Sequence, residues 1–320
     1  MSFVHDDAEF GDLLQIVATA RRLTRGLVEK DYWVTHTLWA LQNTGFDLWF
    51  KGGTSLSKGF GLIERFSEDL DLKIEAGRVL DLPLVASWKS DGTRAVAARR
   101  SYFEALASKI TVPGAEVSID RTLEDELWRS ANIQVVYAGR HLDELGGLCP
   151  FVMLEVGIAR VTPFVERDLS SFVHEELARQ NQLEDFDDNR PRSLRCVHPL
   201  VTLLENIDAL SRRVPKDGVA PATFVRHFED AARIVRAEGG LARLEGYADV
   251  QALAKEMVAQ KQIASLPRKD DVAFNLAPGP RADAIRAAHG AIAPMFWGDR
   301  ISLEDACAVL REWIGERCTG

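Results

Sequence analysis

Two aspartates one residue apart, Asp69 and Asp71, stand in the alternating run DLDL at residues 69–72. A period of two puts side chains i and i+2 on the same face of a strand. Asp69 and Asp71 therefore point one way, and Leu70 and Leu72 the other. Neighbouring carboxylates repel, so such a pair persists cheaply only when exposed, hydrogen-bonded or bridged by a cation. Mg²⁺ (or Mn²⁺ in its place) takes oxygen ligands and is usually held by one or two carboxylates together with substrate phosphates. Upstream, an apolar run at residues 48–50 leads through Lys51 into the glycine pair Gly52-Gly53, and a short helical stretch follows over 54–61. Glycines that end a strand and open a helix let backbone N–H groups come close to a phosphate. These parts describe a site for a nucleoside triphosphate with its metal ion.

A third acid stands apart. The run FVMLEVGIA at residues 151–159 reads as a strand that is apolar except for Glu155. A lone acid on a buried strand needs a partner, because an unpaired buried carboxylate costs several kcal/mol or titrates abnormally high. Glu155 is then either half of a structural salt bridge or part of the acidic site.

The ordered set EKDYWV (29–34), KGGTSLSK (51–58) and RFSEDLDL (65–72) resembles the signature of the AbiEii/AbiGii nucleotidyltransferase toxins, DNA polymerase β-like enzymes of bacterial toxin–antitoxin and phage-defence systems. The resemblance implies that Asp69 and Asp71 hold the metal and that Glu155 is the third carboxylate, on a strand beside them. It implies that Lys51, Gly52, Gly53, Thr54, Ser55 and Lys58 serve the phosphates. Two later segments also resemble the family. VRHFEDAARI (225–234) supplies Arg226 and Asp230, which share a helix face at i and i+4. TLLENIDAL (202–210) departs from the pattern: where the family carries a lysine, this chain has Asn206. Asparagine donates hydrogen bonds but cannot neutralise a phosphate as an ammonium does. Either another cation (Lys51, Lys58 or Lys216) takes the role, or the protein is weak, or the residue has been substituted. Ser67 lies two residues before Asp69. A phosphoryl group there would add about −1.5 to −2 charge beside the acids and expel the metal and triphosphate, and the resemblance permits such regulation by an antitoxin kinase. A serine bonding its own turn is the alternative reading, with at least equal claim.

The elements that must position these residues are legible from periodicity. Phe10, Leu13, Leu14, Val17 and Ala18 recur at helical spacing over residues 9–23. A second helix over 27–42 carries EKDYWV, with Tyr32, His36 and Trp39 as packing residues and Glu29 and Lys30 as a surface ion pair. Strands are expected at 47–50, 69–74, 116–121, 133–137, 151–159, 169–177 and 193–197, with a helix over 93–110. Pro199 opens a helix running to 212, residues 214–221 form a linker, and helices follow over 222–237, 249–264, 281–293 and 302–316.

Composition is that of an ordinary soluble globular chain: 320 residues, 46% hydrophobic and 27% charged. No apolar run approaches the roughly 18 residues that span a bilayer. The acidic start lacks the features of a signal peptide, so the chain reads as cytoplasmic. Cys149, Cys196, Cys307 and Cys318 are scattered and read as reduced thiols with no zinc site. The net charge of −9 argues against indiscriminate nucleic-acid binding. Three basic groupings (Arg94/Arg99/Arg100, Arg190/Arg192/Arg195 and Arg212/Arg213/Lys216) leave room for a local RNA surface.

The expected fold is α+β. An N-terminal helix (1–24) packs on a polymerase β-like nucleotidyltransferase domain (25–200) with a mixed sheet and flanking helices. A helical lobe (201–320) closes the nucleotide cleft. By resemblance the chain is a toxin that moves a nucleoside monophosphate (NMP) from an NTP to an RNA acceptor, the 3′ end of tRNA, and so stops translation. A cognate antitoxin is its partner, and no membrane is involved. Transfer to protein hydroxyls, or a nucleotide- or RNA-binding pseudoenzyme weakened at Asn206, are the alternatives.

Overall fold

The computed structural model describes residues 2–66, 69–79, 81–123, 125–157 and 160–318. They divide into two units: Met1–Gly59, Ser67–Ala159 and Glu166–Cys196 form the first, and Phe60–Phe66, Arg160–Val165 and Val197–Gly320 the second.

The first unit opens with helices α1 (Phe10–Arg21) and α2 (Arg25–Thr44). The Thr24 hydroxyl caps α2 by accepting from the Leu27 N–H, and Gly45 ends it with a left-handed φ of 102°. Then come β1 (Asp47–Lys51), the short α3 (Gly52–Lys58), β2 (Asp69–Glu75), α4 (Thr93–Lys109), β3 (Ala115–Ile119), β4 (Ser130–Tyr137), β5 (Val152–Gly157), β6 (Phe164–Arg167), whose first two residues fall in the second unit, α5 (Phe172–Arg179) and β7 (Leu194–Val197), whose last residue does. The seven strands make one mixed sheet in the order β3-β4-β5-β2-β1-β7-β6. β2 runs antiparallel to β1 and parallel to β5, while β4 runs antiparallel to β5. This is the α+β class, with a mixed sheet and flanking helices, that the sequence predicts.

Alternation fixes the register. Leu48, Phe50, Leu70, Leu72, Ile74, Ile133, Val135, Val152, Leu154 and Val156 are all buried. Their neighbours Lys51, Asp69, Asp71, Lys73, Glu155, Asn132 and Gln134 are not. Each large apolar side chain so buried contributes about 1.5–3 kcal/mol. A one-residue slip of β2 would forfeit that and drive Asp69 and Asp71 into the core.

Behind the sheet, α2 is almost wholly buried, polar residues included. Glu29, 1% exposed, accepts hydrogen bonds from the backbone N–H groups of Arg140 and His141. Lys30 donates to the carbonyls of Cys149 and Phe151 at 2.8 and 3.1 Å. They are not the surface ion pair expected: both fasten the connection between β4 and β5 to α2, Glu29 where it leaves β4 and Lys30 where it enters β5. Tyr32 and His36 pack as predicted. The buried Asn189 amide donates to the Tyr32 hydroxyl and to His36 Nδ1, and its Oδ1 lies 2.7 Å from His174 Nε2. Burial lowers the pKa of His36 and of His174 to about 4.

One element differs in kind. Residues 169–177 were expected to be strand, yet α5 begins at Phe172 because the Ser171 hydroxyl accepts from the His174 N–H. Val173 and Leu177, at i and i+4, supply its buried stripe. The expected N-terminal boundary of α3 also moves, since Gly52 and Gly53 are already helical.

The second unit is helical: α6 (Pro199–Arg213), α7 (Arg226–Ala237), α8 (Val250–Ala259), α9 (Pro280–Ala291) and α10 (Leu303–Arg317). Pro199 occupies the first turn of α6, and Ser302 caps α10. Its two short early segments are each pinned by a buried arginine. Arg65 grips both oxygens of Asp230 at 2.8 and 2.7 Å. Arg160 donates to Gln262 and Glu256 at 2.8 and 2.9 Å. No helix among the described residues is long and apolar enough to cross a membrane. The four cysteines are free thiols.

Candidate active site

Strand pairing sets the site. Lys51 on β1 lies opposite Asp71 on β2, and Asp71 lies beside Glu155 on β5. Asn132 on β4 continues the row. All four side chains belong to the open face of the sheet, because each strand spends its alternate positions on the core. A cavity of about 260 Å³ opens there, lined by Lys51, Asp71, Leu72, Arg129, Ser130, Glu155 and Gly157. Two carboxylates and two cations therefore share one small polar space.

Glu155 is exposed, which corrects the expectation of a buried acid needing a partner. Only one face of β5 is fully apolar, and Glu155 points out of the other.

The glycine pair has a steric role that the sequence did not disclose. A Cβ added at Gly52 would stand 1.7 Å from Asp71 Oδ2, and the residue has a φ of 71°. The Asp71 carboxylate thus lies directly against the Gly52 backbone, in a place where no other residue fits. Gly53 follows in the first turn of α3. Thr54 Oγ1 donates to the Asp69 carbonyl at 2.9 Å and ties the start of α3 to β2. Ser55 is buried on the inner side of the same helix. Its neighbour Cys196 has its thiol pushed up to about 12 by burial and is inert at neutral pH.

Not every expected residue meets in the cavity. Asp69 shares the Asp71 face two positions along, but it is Asp71 and Glu155 that line the space. Lys58 is held elsewhere: its ammonium lies 2.5 Å from Asp31 and 3.0 Å from the Ser170 carbonyl, with Lys58 and Asp31 both under 10% exposed. Such a pair fixes α3 against α2 and the chain leading into α5, and Lys58 is not among the residues lining the cavity. Asn206, Arg226 and Asp230 are in the second unit. Asn206 is 6% exposed, and among the described residues its Nδ2 has no acceptor. Arg226 is half-buried. Asp230 pairs with Arg65 rather than sharing a salt bridge with Arg226. Burial lowers the neighbouring His227 to about 3. Ser67 lies outside the described residues.

Arg129 escaped the sequence reading, which grouped arginines by proximity in the chain. One of those groups dissolves: Arg99 is fully buried and donates to the carbonyls of Leu127, Ser87 and Ser90. Arg129 lines the same cavity as the acids because β4 pairs with β5.

The donor set suits a hard cation. Among the described residues no group of three or more His, Cys, Asp or Glu side chains forms a ready-made metal cage. Mg²⁺ does not require one, since it keeps waters and takes its remaining ligands from substrate phosphates. Asp71, seated on a glycine that leaves its carboxylate room, and Asp69 on the same strand face fit that habit.

The family profile described as "Nucleotidyl transferase AbiEii toxin, Type IV TA system" matches residues 39–306. Among curated protein sequences nothing matches significantly. In structure, the chain is similar to JHP933 from Helicobacter pylori, with 14% identity, 92% of each chain covered and a TM-score of 0.43.

Proposed function

The chain belongs to the AbiEii family of nucleotidyl transferase toxins, and from that premise we propose that it transfers an NMP from an NTP to a hydroxyl of RNA, the 3′ end of tRNA, releasing pyrophosphate. The observation that carries this reading is the row Lys51–Asp71–Glu155 over one cavity, with Asp71 set against Gly52. When bound by Asp69 and Asp71, Mg²⁺ would offset the triphosphate's charge as the bond to the leaving group breaks.

Glu155, exposed and unencumbered by core packing, takes the proton of the attacking hydroxyl. Lys51 supplies positive charge at the end of β1, and the N–H groups at Gly52 and Gly53 meet the phosphates at the start of α3. Thr54 and Ser55 act as fixtures, because the Thr54 hydroxyl is already engaged by the Asp69 carbonyl and Ser55 is buried. In the second unit, Asn206 on α6, whose Nδ2 has no acceptor among the described residues, and Arg226 on α7 are the candidate nucleotide-binding residues, and Asp230, also on α7, ties that helix to Arg65. The partner is a cognate antitoxin, and the setting is the cytoplasm. Capping tRNA in this way blocks aminoacylation and stops growth.

The test is incubation of the protein with bulk tRNA, Mg²⁺ and each α-labelled NTP in turn, with Asp69→Ala as the control. Label on tRNA that the control lacks is the expected result. Label on protein alone, or none, would overturn the proposal.

A further inference from the structure

We propose that Arg129 is an acceptor-binding residue: it grips a phosphodiester next to the attacking hydroxyl, so the acceptor is a polynucleotide end rather than a protein side chain. This rests on the transfer reading above and assigns a side of the cavity to each substrate.

Strand order gives the geometry. From one edge of the site to the other run α3 and β1, then Asp71 on β2, Glu155 and Gly157 on β5, and Ser130 at the start of β4. Arg129 immediately precedes Ser130 and lines the same cavity. Strands lie about 4.8 Å apart, so roughly 14 Å separates β1 from β4. In an in-line displacement the attacking and leaving oxygens stand on opposite sides of the phosphorus. With the triphosphate on the Gly52-Gly53 side, the leaving pyrophosphate departs over β1. The attacking hydroxyl then comes from the side of Glu155, which accepts its proton, and the body of the acceptor lies over β4, where Arg129 waits. In this step the hydroxyl oxygen bonds to the α-phosphorus, the bond from that phosphorus to the bridging oxygen breaks, and pyrophosphate carries away the negative charge.

The loop before β4 is built to present this side chain. The Asp125 carboxylate accepts from the N–H groups of Leu127 and Arg129 at 3.2 and 2.6 Å. Trp128 is held with a left-handed φ of 50°, a conformation that a tryptophan rarely adopts. Its ring is buried, with the guanidiniums of Arg100 and Arg121 5.6 and 5.5 Å from the ring centre. Turning the chain at Trp128 sends one side chain inward and the next, Arg129, to the cavity. Among the described residues the Arg129 side chain pairs with Asp91, and both partners are largely exposed, at 46% and 63%. Exposed pairs are weak, whereas a guanidinium binds a phosphodiester through two parallel hydrogen bonds. A phosphate arriving at the cavity can therefore displace Asp91.

The test uses the full chain, α-labelled NTP and a synthetic oligoribonucleotide matching a tRNA 3′ end. A second oligonucleotide has its last internucleotide phosphate replaced by a neutral methylphosphonate. Arg129→Ala should raise the acceptor KM by about tenfold or more, as loss of a charged hydrogen bond does, while the NTP KM holds and Arg129→Lys recovers part of the loss. The methylphosphonate should penalise the native protein and not Arg129→Ala, and the salt slope of oligonucleotide binding should fall by about 0.7 in the variant. If the native protein labels RNA but Arg129→Ala moves the NTP KM instead, or moves neither, the assignment of Arg129 falls alone. A methylphosphonate penalty equal in both proteins would also overturn it. If the native protein labels only protein hydroxyls, or nothing, the transfer reading falls and takes this inference with it.

Discussion

Replacing Gly52 with alanine probes the contact on which the acidic site is built. The new Cβ would stand 1.7 Å from Asp71 Oδ2, 2.7 Å from its Cγ and 3.1 Å from its Cβ. Ordinary carbon–oxygen contact requires well over 3 Å, so the carboxylate must leave its seat or α3 must peel from β2. Holding an L-residue in the left-handed region costs about 1–2 kcal/mol, and forcing the aspartate off its rotamer adds about 0.5–1.5. A total of about 1.5–3.5 kcal/mol lowers Tm by about 3–14 °C in a unit of this size. The catalytic loss should be larger, since a misplacement of about 1 Å at a reacting group costs on the order of 100-fold. Initial rates of label transfer, with a thermal melt on the same sample, measure both effects. A Gly52→Ala protein that transfers within about threefold of native would refute the reasoning, because catalysis would then not depend on where the Asp71 carboxylate sits.

Three further outcomes follow from the structure. His36 and His174 are 0% and 2% exposed and titrate near 4 in the fold against 6.5 unfolded. Above pH 6.5 both states hold them neutral. Below it only the unfolded chain takes up protons, so stability falls as the pH drops from 6.5 towards 4, by up to about 3 kcal/mol per histidine; Tm measured across that window checks this. Lys58→Met leaves Asp31 buried without its cation, a change that costs about 3–5 kcal/mol, whereas Lys58→Met with Asp31→Leu should recover part of that loss; denaturant melts of the two proteins decide. Asn206→Lys places an ammonium at a 94%-buried position, so the variant should melt below native when free and regain stability with saturating NTP and Mg²⁺, as ligand linkage requires; a melt unaffected by NTP would speak against a nucleotide role for residue 206.

Local chemistry was readable from the sequence, and long-range pairing was not. Asp69, Asp71 and the glycines lie within twenty residues, and the strand period alone puts both aspartates on one face. Glu155 was found as a lone acid in an apolar run, but its exposure was misjudged. A strand with one core face and Met153 also buried looks, in one dimension, like a strand buried on both sides. Lys58 looked free because its partner Asp31 is 27 residues away. Arg129 carried no signal, since its place at the acids follows from β4 pairing with β5. Segments 60–66 and 160–165 belong to the second unit, held there by the buried Arg65 and Arg160 and by backbone hydrogen bonds such as Phe66 N–H to the Met295 carbonyl and His198 N–H to the Pro163 carbonyl, and nothing in their composition marks them. The strand expected over 169–177 yielded to a helix because one hydroxyl, that of Ser171, satisfies the first turn.

The most direct measurement of the central claim is the single-turnover rate of NMP transfer by Asp71→Asn beside the native protein. The amide keeps the size and shape of the carboxylate and sits on the open face of the sheet, so Tm should stay within about 2 °C of native. The rate should fall by about 1,000-fold or more, because the charge proposed to hold the metal and triphosphate is gone. A folded Asp71→Asn protein that transfers at close to the native rate would contradict the account and move the chemistry away from the Lys51–Asp71–Glu155 row.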